Sequence, residues 1–221
     1  MSMSTSTSTT DEHLAVEGAL RSGALAGDGD HESAARAARL LADRAAREGL
    51  ADVAYTPVDS PFGELLLAAT TRGLLRVAFP EEDTDTVLER ISRRLSPRIV
   101  QAPSRLDRAR RELDEYFSGR RRSFDVAIDW SLVGGPFGRR VLDVTSEIPY
   151  GDVLTYREVA ADAGSPRGSR AAGNALGSNP IPIVVPCHRV LHTGGGLGGY
   201  TGGVEIKRTL LGIESGQTRL V

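Results

Sequence analysis

The chain has 221 residues, of which 40% are hydrophobic, 25% charged and only 5% aromatic, and its formal net charge is −2. That is the profile of a folded protein of one or two domains with an aliphatic core, and it argues against nucleic-acid binding by bulk charge alone. A single cysteine, Cys187, excludes an intrachain disulfide, and with four scattered histidines it speaks against a structural zinc site.

Residues 1–10, MSMSTSTSTT, are of low complexity and are expected to be disordered. The N-terminus lacks the basic and apolar regions of a secretory signal, and no apolar run approaches the ~18 residues of a membrane span. A cytoplasmic protein that avoids membranes is the expectation. Residues 32–48 predict a helix, with Leu40, Leu41 and several alanines on one face and Gly49 at its end. The GDGDH stretch before it reads as loop. Residues 1–50 thus form an N-terminal extension.

The body begins near Asp52. Three apolar runs, cut by Ser60-Pro61-Phe62-Gly63 and Thr71-Arg72-Gly73, predict strands joined by tight turns. Helical patterns follow at about 82–95 and 104–118, separated by Pro97 and Pro103. The charges of the second, from Asp107 to Glu115, read as a solvated face with ion pairs. RRRSFDVAIDW (120–130) reads as an edge or linker strand, its arginines open to phosphate binding.

Pro136 suits the first position of a helix over 136–146. Thr155 and Glu158 form a capping box that opens a helix over 155–164. Ser165-Pro166 then opens a second helix, ending near Gly177. Two short helices joined by a glycine turn fit a helix-turn-helix, and equally a plain helical hairpin. The second carries Arg170, Ala171, Ala172, Gly173, Asn174 and Ala175. Such small residues suit either tight helix packing or close approach to a narrow minor groove, with Arg170 as the one long probe.

Ile183-Val184-Val185 predicts a short buried strand that delivers Cys187 and His188. The glycine-rich stretch from Gly194 to Gly203 is a phosphate cradle, a surface loop, or a wall that lets Tyr200 stack on a planar ligand. Cys187 is a small buried hydrophobe or a nucleophile. As a nucleophile it needs a base, His188, and a carboxylate to orient that base, for which Glu205 and Glu214 are candidates.

Pro186-Cys187-His188-Arg189-Val190 resembles the active-site signature of the methylated-DNA–protein-cysteine methyltransferases. The likeness extends to Ile148-Pro149-Tyr150-Gly151, Thr155-Tyr156, Arg170-Ala171, Asn179-Pro180, Gly198-Gly199-Tyr200-Thr201-Gly202-Gly203 and Lys207 to Glu214, and covers roughly residues 53–214. It implies an α+β protein. A small ribonuclease-H-like sheet domain would occupy 51–130, and a mainly helical, winged-helix-like domain 131–221. The implied activity is direct, single-turnover transfer of the alkyl group from O6-alkylguanine, and O4-alkylthymine, to Cys187. The partner is double-stranded DNA, bound through the minor groove by a monomer, with the damaged nucleotide turned out and no cofactor or metal. On this resemblance His188 is the base acting through a water and Glu214 orients it. Tyr156 lies by the turned-out nucleotide as a proton donor, Lys207 assists, and Asn179 holds the turn. Arg170 fills the gap in the duplex, and Arg167, Ala171 and Asn174 face DNA. Val190, Gly198, Tyr200, Thr201 and Gly202 line the base pocket.

Overall fold

A computed structural model describes residues 28–216. The Ser/Thr-rich start of the chain lies outside the described residues. By its contacts the chain divides into two units, the first ending at Leu41 and the second beginning at Ala42. Helix α1 (Asp28–Arg47) begins in the first and ends in the second, and it takes in Asp28–His31, where a loop was expected. One internal glycine costs a helix only about 1 kcal/mol, too little to stop it. Among the described residues no helix is long and apolar enough to cross a membrane.

Within the second unit, Ala46 near the end of α1 packs with Ala54 and Ala102. The three expected strands form as β1 (Val53–Val58), β2 (Leu65–Thr70) and β3 (Gly73–Ala78). They pair antiparallel in sequence, and an unforeseen β4 (Ile99–Gln101) adds parallel to β1, giving the order β3-β2-β1-β4. β4 faces only Val53–Tyr55, so Pro57 sits beyond the ladder that its missing N–H would interrupt. All six residues of β2 are buried, because both sheet faces are covered. Leu66 and Ala68 meet Val87 and Ile91 of α2 (Thr84–Arg94) on one face. Leu65 and Leu67 meet α3 (Asp107–Phe117) and the C-terminal helices on the other.

One side chain on the charged face of α3 is not solvated. Glu112 is buried and accepts from the backbone N–H groups of Asp125 (2.8 Å) and Val126 (3.2 Å). It thereby pins the linker to α3. The linker itself is not a strand. It crosses β3 with one isolated bridge, Leu74 to Ile128, and two backbone bonds, Leu74 to Ala127 and Asp129 to Leu74. Its arginines are engaged within the protein: Arg121 pairs with Glu115 and Asp125, and Arg122 lies over Tyr150.

The helices α4 (Gly135–Ser146), α5 (Tyr156–Asp162) and α6 (Ser169–Gly177) pack on one another. Both halves of the Thr155–Glu158 capping box are made. α6 starts later than expected, because Ser165–Gly168 closes a turn, with Gly168 N–H on the Ser165 carbonyl at 2.8 Å. Proline at the second position of that turn suits it. Ile183–Val185 is a buried turn and not a strand. Pro180, Pro182 and Pro186 strip it of ladder donors, and Ile183 takes φ +74°. The chain ends, among the described residues, in α7 (Val204–Glu214), a helix the sequence reading did not single out.

Candidate active site

Cys187 opens a short 3-10 turn, Cys187–Arg189. What precedes it is held tightly. Pro186 sits at φ −81°, ψ 61°, and the Cys187 N–H reaches the Val185 carbonyl at 2.8 Å, an inverse γ-turn. Buried Asn179 supports this from below. Its Nδ2 donates to the Val185 carbonyl (2.9 Å) and to Cys187 Sγ (3.2 Å), while its Oδ1 accepts from Ile181 N–H (3.0 Å). A β-branched residue at positive φ next to that turn is strained, and at Ile183 the strain sits four residues before the thiol.

Sγ faces a cleft of about 570 Å³ lined by Tyr156, Arg170, Gly173, His192, Tyr200 and Thr201, among others. Tyr156 is the first residue of α5, fixed by the capping box, and Arg170 stands exposed at the start of α6. Tyr200 rests edge-on against Phe79 (5.7 Å between centroids) and against His188 (6.3 Å). Gly198 backs the mouth of the cleft. It takes φ +69°, and a Cβ there would lie 2.7 Å from Tyr156 Oη and 3.1 Å from His192 Nε2. The loop therefore needs glycine in order to pass so close.

Behind Cys187 lies a buried polar cluster. Glu214, the last residue of α7, holds His188 Nε2 at 2.8 Å and takes two bonds of 2.9 Å from Arg189. Tyr116 Oη donates to it at 2.6 Å and Gly151 N–H at 3.2 Å. Burial alone would raise its carboxyl, but the hydrogen bonds from His188 and Arg189 outweigh that and hold it down to about 2. Burial lowers the pKa of His188 despite the carboxylate beside it, which favours the neutral ring, and Nδ1 is buried with no hydrogen-bond partner among the described residues. Burial pushes Cys187 up to about 11, against the opposing pull of Asn179 and Lys207. A free thiolate at pH 7 would thus cost about 5 kcal/mol. As a nucleophile Cys187 would therefore have to lose its proton as it attacks, and His188 is the next residue in the same 3-10 turn.

The other expected site residues fall into three groups. Arg167, Ala171 and Asn174 are exposed, Arg167 in the turn before α6 and the other two on it. Val190, Gly198 and Gly202 do not line the cleft: Val190 is fully buried, Gly198 packs against Tyr156 and His192, which do line it, and Gly202 lies against the Phe79 ring. Lys207 is buried and donates to the Val190 carbonyl (2.6 Å) and to that of Leu197, with Nζ 5.9 Å from the Tyr156 ring centre. It ties Val190, ahead of the glycine loop, to Leu197 within it, and burial brings it down to about 8. Among the described residues no group of His, Cys, Asp or Glu could hold a metal ion.

Three residues at this site were not foreseen as such. Arg189 has a local signal, since a charge inside an apolar run must find a carboxylate. His192, whose ring centre lies 4.9 Å from that of Tyr156, is hinted at only by the glycines around it. Tyr116 has none, being 98 positions from Glu214.

Two models of one family match this chain. The 6-O-methylguanine DNA methyltransferase ribonuclease-like domain matches residues 53–130, and the DNA binding domain of the same family matches residues 136–216. A methylated-DNA–protein-cysteine methyltransferase of Methanosarcina barkeri is 37% identical over 165 residues, 75% of this chain and 99% of that protein. One from Mycolicibacterium paratuberculosis is 39% identical over 162 residues, 73% of this chain and 92% of its own. The crystal structure of Mycobacterium tuberculosis OGT in complex with DNA superposes with TM-score 0.65 at 37% identity, covering 75% of this chain and 94% of that one. The α+β architecture, a ribonuclease-like sheet domain followed by a helical DNA-binding domain, is therefore that of a known lineage: the chain belongs to the methylated-DNA–protein-cysteine methyltransferase family.

Proposed function

We propose that this protein repairs DNA by moving the alkyl group of O6-alkylguanine onto Cys187, once per molecule. The observation that carries the reading is the placement of Cys187 on a nucleotide-sized cleft, directly before a buried His188 whose Nδ1 has no partner among the described residues. The thiol proton passes to Nδ1 through a bridging water. Glu214 holds Nε2–H and stabilises the imidazolium that results. Sγ attacks the alkyl carbon, the S–C bond forms, the C–O6 bond breaks, and the electron pair leaves on guanine. Tyr156 supplies the proton guanine then takes up. Its own pKa is raised by burial and by the nearby Cys187, so the phenol is protonated at rest. The product is a neutral thioether, and no second cysteine exists to restore the thiol.

A thiol at the foot of a cleft cannot reach O6 inside a duplex, so the nucleotide must turn out, at a cost of a few kcal/mol. On this reading α5 and α6 approach the minor groove. Arg170 fills the vacated stack, the small Ala171 permits contact, and Arg167 and Asn174 meet the backbone. O4-alkylthymine fits the same chemistry. The protein acts as a single copy in the cytoplasm. Intact mass after mixing with O6-methylguanine duplex tests the proposal. One methyl must appear on Cys187 and none in Cys187→Ala; turnover of many substrate molecules by unmodified protein would point to a hydrolase instead.

A further inference from the structure

Beside the cleft runs a second groove of about 440 Å³, between α2 and residues 177–180. Four arginines line it: Arg76 from β3, and Arg90, Arg93 and Arg94 from α2. Gly177 and Thr201 belong both to its wall and to that of the Cys187 cleft, so the two hollows adjoin. The only acidic side chain in its lining, Glu82, already pairs with Arg76 and accepts from Phe79 N–H. Arg76 also donates to the Pro180 carbonyl at 3.1 Å, and Arg93 pairs with Glu89. Arg90 and Arg94 are exposed and have no hydrogen bond or ion pair among the described residues. Arg90 is near enough to Arg76 for the two charges to repel.

A hollow that gathers like charges and commits its one carboxylate elsewhere selects an anion. Arg90 and Arg94 stand about one helical turn apart, about 6 Å along α2, so each can meet its own charge. An anion with repeated charges, reaching out of a cleft that takes up a nucleotide, is a sugar-phosphate backbone. We infer that this groove carries the DNA strand flanking the turned-out nucleotide, with Arg90 and Arg94 on its phosphates. The sheet domain thereby takes part in holding DNA. The inference rests on the DNA-repair reading above.

Salt titrations test it, on a methylated duplex too short for a second copy. Wild type, Arg90→Ala/Arg94→Ala, and Arg110→Ala/Arg111→Ala on the exposed face of α3 are compared. The α2 variant should bind roughly tenfold more weakly, with a log–log salt slope shallower by about two, while the α3 variant keeps both values. Matching melting temperatures establish that the variants are folded. An unchanged slope, an equal change in the α3 variant, or an effect confined to longer duplexes that load several copies overturns the inference. Methyl uptake by wild-type Cys187 is scored separately, so failure of the groove and failure of the repair chemistry are told apart.

Discussion

Behind Cys187, the carboxylate of Glu214 accepts five hydrogen bonds from four residues drawn from both halves of the fold. In front of it, Arg170 and His192 stand in the open on a helix start and a glycine loop. The two regions answer different demands. A buried charge is tolerated only when it is paired and hydrogen-bonded, so the Glu214 carboxylate is held from several sides at once. On the proposed reading the mouth admits a nucleotide and releases DNA, which suits side chains that stand exposed there. Disturbing the rear should therefore cost fold and chemistry together, and disturbing the front should cost recognition.

The largest effect is expected of Glu214→Gln. It leaves Arg189 buried without its counter-charge, worth about 3–5 kcal/mol of stability in urea unfolding. Single-turnover alkyl transfer should also slow by about a hundredfold or more, the low end of what a correctly positioned acid–base group contributes. Full stability in this variant would break the contrast. Tyr116→Phe is the finer probe of the same region, since it keeps the ring and deletes one donor to a charged acceptor. A loss of about 1.5–3 kcal/mol is expected, together with slower transfer from a free benzylated base. If only the duplex reaction suffers, Tyr116 belongs to recognition and the division fails.

At the front, Gly198→Ala should exclude benzyl adducts well before methyl ones, by roughly tenfold, since its Cβ would intrude on Tyr156 Oη and His192 Nε2. Equal losses for both adducts would show a collapsed loop instead of a narrowed mouth. Arg170→Ala should lower the rate on duplex DNA by about tenfold and that on a free base by much less. An equal loss in the two assays removes its role in the stack.

The pH response sharpens the same contrast without any substitution. Glu214 has a folded pKa of about 2 against an ordinary 4.5. The stability it adds is complete above about 4.5 and drains away as pH falls toward 2. His188 is lowered as well, so below its ordinary range the unfolded chain binds protons that the folded one refuses, again costing stability in acid. Alkyl transfer, which needs the neutral ring, should in contrast persist below about pH 6.5. A rate that halves at the ordinary imidazole value would show His188 to be solvated.

How much of this was legible in the sequence depends on how local each interaction is. The strands from Val53 to Ala78 and the Thr155–Glu158 cap depend on neighbours within a few positions, and the reading found them. The short β4 has no signal of its own, because three residues become a strand only when β1 offers its edge. Ile183-Val184-Val185 carries strand composition, yet the prolines around it forbid the ladder. Glu112 looked like one more charge on a wet helix until the linker folded back and placed two N–H groups over it.

By itself, the amino-acid sequence determined the thiol, the adjacent imidazole, the glycine loop and the order of helices that carries them, because each is written in residues close together along the chain. Only the tertiary structure decided that Tyr116 would complete the rear cluster, that His192 would face Tyr156, and that α2 would line a basic groove beside the cleft. Those contacts join positions far apart in the chain. They arise because burying the two faces of one sheet forces particular elements together, a constraint that no short stretch of residues contains.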